Sequence, residues 1–505
     1  MIKNFLENDI EINYKKLFIF SAFFHLIAVI FSEGFHRPDE HLGMLRYVFV
    51  KLNLYPIEEL SWEYPAKIRN WVQPGIYYAI AKILNLIEIK NPFTIAFFLR
   101  LFTSIFSMYT LVKFSKFSRI FFSSTKAINL ANLCFFTLWF FPFIHARTTA
   151  ENFGMNVFAL GLLVLVKSIP ISTLKSSTNT LKINFLSNTK SIPLSHSLLG
   201  GFLIGMSVNF RIPLAPMPLF LCLWLLLIAQ IKLSNVFVIV IGSFLSILFT
   251  SIFDTWGYEE LTYSTWSYLY QEFTRNVSQG FGVSPWYYYI TKVFSKGVPP
   301  LSIFMIIATV FVWIKKPTHL ITWVSLPVFL LHSTIGHKEL RYIFPLIIFV
   351  PILLALTFEH FEKTVLENRA LKLTIRLSII LNLIFLLISS IKPAYTPIHI
   401  YKYLYNNGER INSLYTYNNL QRDILKIYLK KETPFIHITS ENEVDHAVSK
   451  SENTSWFLVE KIKDFTTFEK RNCTQEYSTY PEWFTKKFSK QLQRSKAWAI
   501  YRCKK

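Results

Sequence analysis

Phe35-His36-Arg37-Pro38-Asp39-Glu40-His41 follows closely on the first apolar run of the chain, Leu17 to Phe31. An apolar run that ends in water-facing charge reads as a membrane span and the start of its first loop. Two adjacent carboxylates, two histidines and an arginine at such a boundary point to function, because ionisable groups beside a span are costly to hold. Pro38 locks its own φ and restricts the residue before it, so the backbone presenting Asp39 is stiff. Taken alone, the cluster is also readable as ordinary solvated residues flanking a span. The rest of the chain decides between the two.

The composition is that of a membrane protein. Of 505 residues, 52% are hydrophobic and 17% aromatic, and the mean hydropathy is +0.34. Forty-nine Phe against 15 Gly suit lipid-facing helices better than a strand-rich barrel. The net charge of +22 sits mostly between apolar runs and in the tail. Anionic lipid headgroups are therefore its simpler partner, and no zinc-type spacing or helix-turn-helix points to nucleic acid. Cys134 and Cys222 fall inside apolar runs and read as buried hydrophobes. Cys473 and Cys503 lie in the polar tail, where they are able to pair if that tail faces an oxidising compartment.

Residues 1–16 are polar, with Lys3, Lys15 and Lys16 before the first run, as in an uncleaved anchor with a cytosolic N-terminus. Residues 34–74 form a polar-aromatic loop with a helix-like stretch from Gly43 to Leu52, consistent with amphipathic helices lying on a membrane. The run 75–90 is short. Further runs cover 94–112, 127–145, 152–170, 196–212, 214–231, 235–252, 299–314, 319–335, 340–357 and 374–391. The Ser/Thr/Asn/Lys-rich segment 171–195 is a loop. Putting residues 113–126, 171–195, Lys232, Lys315-Lys316 and 359–373 in the cytosol gives about eleven crossings, provided 75–90 is re-entrant or interfacial. The opening motif, Arg147, Arg211, the 253–298 loop, His337 to Arg341 and a mixed α/β domain over 392–505 then share the non-cytosolic side.

Several polar clusters meet on that face. Asp39 is placed to take a proton from an attacking hydroxyl, with Glu40 to orient it or tune it. A metal site on His36, Asp39 and His41 is the rival reading. His337-Lys338-Glu339-Leu340-Arg341-Tyr342 puts three potential cations around one carboxylate, a pattern suited to a phosphate leaving group or to an interfacial snorkelling cluster. Trp286-Tyr287-Tyr288-Tyr289 suits sugar stacking, a lipid groove or an interfacial aromatic belt. Arg147 and Arg211 stand at span ends.

Pro38-Asp39-Glu40-His41, Ser61-Trp62-Glu63-Tyr64 with Ile68-Arg69, Arg147-Thr148, Phe210-Arg211, Phe281-Gly282-Val283-Ser284-Pro285-Trp286-Tyr287-Tyr288-Tyr289 and His337-Lys338-Glu339-Leu340-Arg341-Tyr342 occur in this order. In this the chain resembles glycosyltransferase family 22 over residues 20–360 or so. These are lipid-phosphate-mannose-dependent α-mannosyltransferases, and the likeness is greatest to those adding the third mannose of GPI precursors. The resemblance implies an all-α polytopic GT-C fold whose first non-cytosolic loop carries the catalytic carboxylate, here Asp39 with Glu40 beside it. It implies inverting transfer from dolichyl or polyprenyl phosphate mannose to a lipid-linked glycan. On this reading His337, Lys338, Arg341, Arg147 and Arg211 bind the donor phosphate, and Glu63, Arg69, Trp286 and Tyr287 bind acceptor and sugar. The chain departs from the family at His41-Leu42-Gly43, where relatives often carry an aromatic and Gln.

No Gly-rich phosphate loop appears, so a nucleotide sugar has no evident cradle. No cofactor is required, with a divalent metal left open. The membrane is the endoplasmic reticulum in a eukaryote and the cytoplasmic membrane in a bacterium. A transporter or flippase of lipid-linked sugars is the alternative, but transporters usually show internal repeats and polar residues near mid-span, whereas here no convincing repeat appears and the polar clusters sit at span ends. A non-catalytic scaffold leaves Asp39-Glu40 and the His-Lys-Glu block without a common purpose.

Overall fold

A computed structural model describes residues 11–175, 181, 183–275, 280, 282–417, 423–430, 434–450, 454–493 and 495–504. Lys3, Phe281 and the middle of the 171–195 loop lie outside these. Among the described residues five helices are long and apolar enough to cross a membrane: Tyr14–Phe31, Pro92–Phe121, Leu233–Tyr258, Leu340–His360 and Arg369–Ile391. Leu301–Lys315 and Leu320–Thr334 are bent by 114° and pass that test only as a pair. Ala150–Val166, Leu194–Phe210 and Ile212–Leu227 are apolar but shorter. Hydropathy alone reads all of these as similar runs. Three-dimensional structure separates them by the length of continuous helix, and 3₁₀ segments with prolines interrupt the regular α-helix in places, as at Pro216 and Pro345. The 75–90 run is the helix Val72–Leu86.

Polar caps start the helices where the sequence changes character. Asn13 accepts from Lys16 N, Asn91 from Phe93 N ahead of Pro92, and Thr149 from Asn152 N. Leu194–Phe210 and Leu233–Tyr258 pack closely through glycines. A Cβ on Gly201 would collide with the Ile239 backbone, and one on Gly242 with the Leu198 carbonyl. That contact sets Arg211 at the end of one helix and Asp254 near the end of the other.

The first loop is tied to these helix ends. Asp254 accepts from Trp71 N (2.8 Å) and Ser264 N (3.0 Å), and Tyr258 donates to the Arg69 carbonyl (2.9 Å). The helix-like stretch is a π-helical turn, His41–Leu45, running into a short α-helix, Arg46–Lys51.

The C-terminal part is a five-stranded mixed sheet: β1 Leu414–Tyr417, β2 Phe435–Ile438, β3 Thr454–Val459, β4 Thr474–Ser478 and β5 Ala499–Lys504. The order is β2-β1-β3-β5-β4, with β1 parallel to both β2 and β3 and the remaining pairs antiparallel. Cys473 and Cys503 form a disulfide. The sheet's core runs into that of the first loop: Phe35, Leu45, Val48 and Val72 share one apolar cluster with Tyr395, Leu414, Leu458 and Trp498. Phe35 stacks on Tyr395 at 4.3 Å.

Candidate active site

Asp39 sits at the head of the first-loop turn. Its Oδ2 takes Arg69 Nη2 at 2.9 Å and also Arg341 Nη1. Arg69 forks onto Glu63 through Nε (3.0 Å) and Nη2 (2.7 Å). Arg341 Nε reaches Glu339 at 2.6 Å and Glu151 at 3.6 Å. Glu151 also meets Arg211 Nε at 3.1 Å, while Glu339 has Arg37 and His337 each at 3.6 Å. Four carboxylates thus face four guanidiniums drawn from the first loop, the start of Ala150–Val166, the end of Leu194–Phe210 and the segment beginning at Glu339. Glu339 is the carboxylate of the His337–Tyr342 block, and neither it nor Glu151 carries an assigned role from sequence. The available signal for Glu151 was a carboxylate opening an apolar run.

Buried charge survives when paired, and removing one partner costs about 3–5 kcal/mol. The network is therefore rigid in the free protein. Burial alone would raise the Asp39 pKa, but Arg69, Arg341 and Arg211 outweigh it and hold the carboxyl well below the usual carboxylate range. Its side chain is still 24% exposed, so it opens to the site mouth.

Glu40 points elsewhere. It is 2% exposed, and its Oε1 accepts from the backbone of His36 (2.7 Å) and Arg37 (3.3 Å), pinning the turn that carries Asp39. Burial pushes its carboxyl up against the pull of Arg147, 3.6 Å away. Arg147 is likewise spent on structure: it donates to the Gly34 carbonyl (3.3 Å) and to the carbonyl and hydroxyl of Ser32. Lys338 donates to the carbonyls of Ser284 and Ile335, and His337 Nδ1 lies 3.0 Å from the Gly282 carbonyl. These two join the 282–285 loop to the Arg341 segment. Trp286 and Tyr287 are exposed and stand ring to ring at 5.7 Å. His36 lies between Phe143 and Phe344, its pKa pushed down to about 4 by burial and then by Arg37, Arg147 and Arg341. Neither His36 nor His41 converges on Asp39. Among the described residues no three His, Cys, Asp or Glu side chains group as metal ligands.

Arg211 differs from the other cations. Among the described residues its terminal nitrogens carry no hydrogen bond. It lies against the Tyr342 ring (5.3 Å) and lines a small polar pocket with Arg69, Asn209, Thr265 and Tyr268. An apolar groove starts at Ile343, two residues beyond Arg341, and runs past Tyr289, Val293, Trp313, Phe329 and Ile347.

Curated relatives include mannosyltransferase APTG1 of Arabidopsis thaliana, 22% identical over 338 residues. GPI mannosyltransferase 3 of Candida albicans is 25% identical over 353 residues, and that of Debaryomyces hansenii 25% over 413. The alignments cover 66%, 69% and 78% of this chain. They span 56%, 64% and 68% of the relatives, so the first two are matched over less than two-thirds of their length. Among solved structures, ArnT from Cupriavidus metallidurans is similar in its apo state (TM-score 0.53, 9% identity, 97% of each chain). The same protein bound to undecaprenyl phosphate gives a TM-score of 0.51 at 10% identity, over 97% of this chain and 98% of that one. The shared fold is the GT-C architecture. With the model of that family matching residues 16–433, the chain belongs to the Alg9-like mannosyltransferase family.

Proposed function

We propose that the protein transfers mannose from a dolichyl or other polyprenyl phosphate to a lipid-linked glycan, with inversion, forming an α-mannoside. The observation that carries this is a partly exposed carboxylate, Asp39, held among guanidiniums near a polar pocket and an apolar groove. The groove suits a polyprenyl tail, and the GT-C relative ArnT has been solved with undecaprenyl phosphate bound. The polar pocket suits the acceptor sugar. Arg211, whose terminal nitrogens carry no hydrogen bond among the described residues, and Arg341 are the donor-phosphate residues. Glu40, Arg147, Lys338 and His337 position the loops around them.

In the reaction the acceptor hydroxyl attacks the anomeric carbon opposite the phosphate and gives its proton to Asp39. The carbon–oxygen bond to phosphate breaks with its electron pair, and the arginines stabilise the charge that leaves. Products are the α-mannoside and polyprenyl phosphate. About eleven crossings, with this site on the non-cytosolic face, complete the reading. They require the three shorter apolar helices, both halves of the bent pair and the 127–145 run, built of Thr125–Thr137 and Phe140–His145, to cross as well. The GPI-mannosyltransferase relatives favour the endoplasmic reticulum membrane.

The test is an assay of purified protein with polyprenyl phosphate mannose and a panel of mannosylated acceptors, alongside Asp39→Asn. Loss of a general base lowers turnover about a hundred- to ten-thousand-fold. Near-normal turnover by a folded Asp39→Asn variant would remove Asp39 from the mechanism. A lipid-linked sugar moved across vesicles with no new glycosidic bond would favour the flippase instead.

A further inference from the structure

Among the described residues, a polar contact between Tyr428 and His41 joins the C-terminal region to the turn that carries Asp39. Tyr428 closes the 3₁₀ turn Asp423–Tyr428 and is 1% exposed. Its ring lies 4.5 Å from that of Phe93, and its hydroxyl is 2.8 Å from Nε2 of His41, 387 residues away in sequence. His41 is itself 4% exposed and opens the π-helical turn two residues after Asp39. The Pro38 carbonyl accepts from the backbone of both His41 and Leu42 at 2.9 Å, so any shift of His41 moves the turn that carries Asp39. Among the described residues the other ring nitrogen, Nδ1, has no hydrogen bond. The Tyr428 hydroxyl is thus the polar group that fixes the imidazole, with the Phe35 ring edge-on at 5.0 Å. Burial, then Arg100, Arg147 and Arg46, keep His41 neutral, so this is a bond between neutral groups and not an ion pair. Position 41 is also where the chain departs from the pattern it otherwise resembles.

We propose that Tyr428 is a positioning residue for Asp39, acting through His41, and that the C-terminal region is thereby part of the active-site apparatus. This rests on the reading of Asp39 as the base. The mechanism is geometric: a base displaced by a fraction of an ångström from its proton loses rate, while substrate binding, which lies on other residues, persists.

The test compares Tyr428→Phe, His41→Gln and the double variant in the full chain, with Lys402→Ala as the control. Lys402 reaches Glu33 across the same interface at 3.2 Å and touches neither His41 nor Asp39. Tyr428→Phe keeps the ring and its packing on Phe93. We expect its kcat to fall about tenfold to a hundredfold, with donor and acceptor KM unchanged. Amide exchange in residues 41–45 should speed up, and the double variant should be no worse than the single ones. Lys402→Ala should match the wild type. Wild-type kcat in Tyr428→Phe overturns the proposal. So does a kcat loss that appears only together with raised KM and a lowered Tm, which marks a structural tie alone. A wild-type protein inactive on every donor counts against the mannosyltransferase reading. Unchanged exchange at 41–45 in Tyr428→Phe counts against the positioning role.

Discussion

With Arg69 on one side and Arg341 on the other, Asp39 is a weak base in the free protein. A donor phosphate competes for the same guanidiniums, and each one it draws away raises the proton affinity of the carboxylate. The sign follows from linkage. A carboxyl held low in the folded state adds stability above its unfolded pKa of about 4, and that stability is lost only as pH falls through the lower folded value. The acid limb of kcat/KM for the donor, which reports free protein, should therefore lie below the ordinary carboxylate range. The limb of kcat, which reports the donor complex, should lie higher. Profiles whose limbs coincide would mean that the phosphate leaves the Asp39 pairs intact. Arg211 gives a second expectation. Arg211→Lys keeps the charge but loses the planar fork, so donor KM should rise about tenfold to a hundredfold, one charge-assisted contact's worth. Acceptor KM should hold. Titrating each substrate separately reads the difference.

Among the elements, the segment from Leu340 to His360 does two jobs. Its 3₁₀ start presents Arg341 to the site, and the residues that follow wall the apolar groove. Tyr288–Lys296 and the bent pair Leu301–Lys315 and Leu320–Thr334 supply the other walls. Filling the groove should separate tail binding from chemistry. Val293→Trp is expected to raise KM for a long-chain donor about tenfold, since two buried methylenes are worth roughly 1.6 kcal/mol. A short-chain, water-soluble phosphate mannose should be used as well as before. Equal loss on both donors would place the tail elsewhere.

For the whole molecule, the disulfide and the shared core bear on orientation. Cys473–Cys503 joins the sheet whose apolar cluster runs into the first loop, and a persistent disulfide belongs to an oxidising compartment. Asp39, the 282–287 loop and the sheet should then face the same, non-cytosolic side. In a chain otherwise cleared of reactive thiols, Trp286→Cys should label from that side with an impermeant reagent, and Ser187→Cys from the cytosol. Both positions are exposed. Labelling of both from one face would break the topology.

The sequence by itself determined the class and the family. Its apolar runs could not stay exposed to water, and the blocks at Asp39, Glu63-Arg69, Arg211 and Arg341 carried the family. Local chemistry is enough for such features, because hydropathy and short motifs are properties of neighbouring residues. Only the tertiary structure decided which charges meet. Arg147 and Arg211 look alike as arginines at span ends, yet one is buried in backbone carbonyls and the other's terminal nitrogens carry no hydrogen bond among the described residues. Asp39 and Glu40 are neighbours, but the turn sends one to the arginines and the other into the loop backbone. Asp39 and Arg341 lie 302 residues apart, and Tyr428 reaches His41 over a greater distance still. Such pairings depend on how glycine faces, prolines and helix ends stack the segments. No local pattern in the chain encodes them.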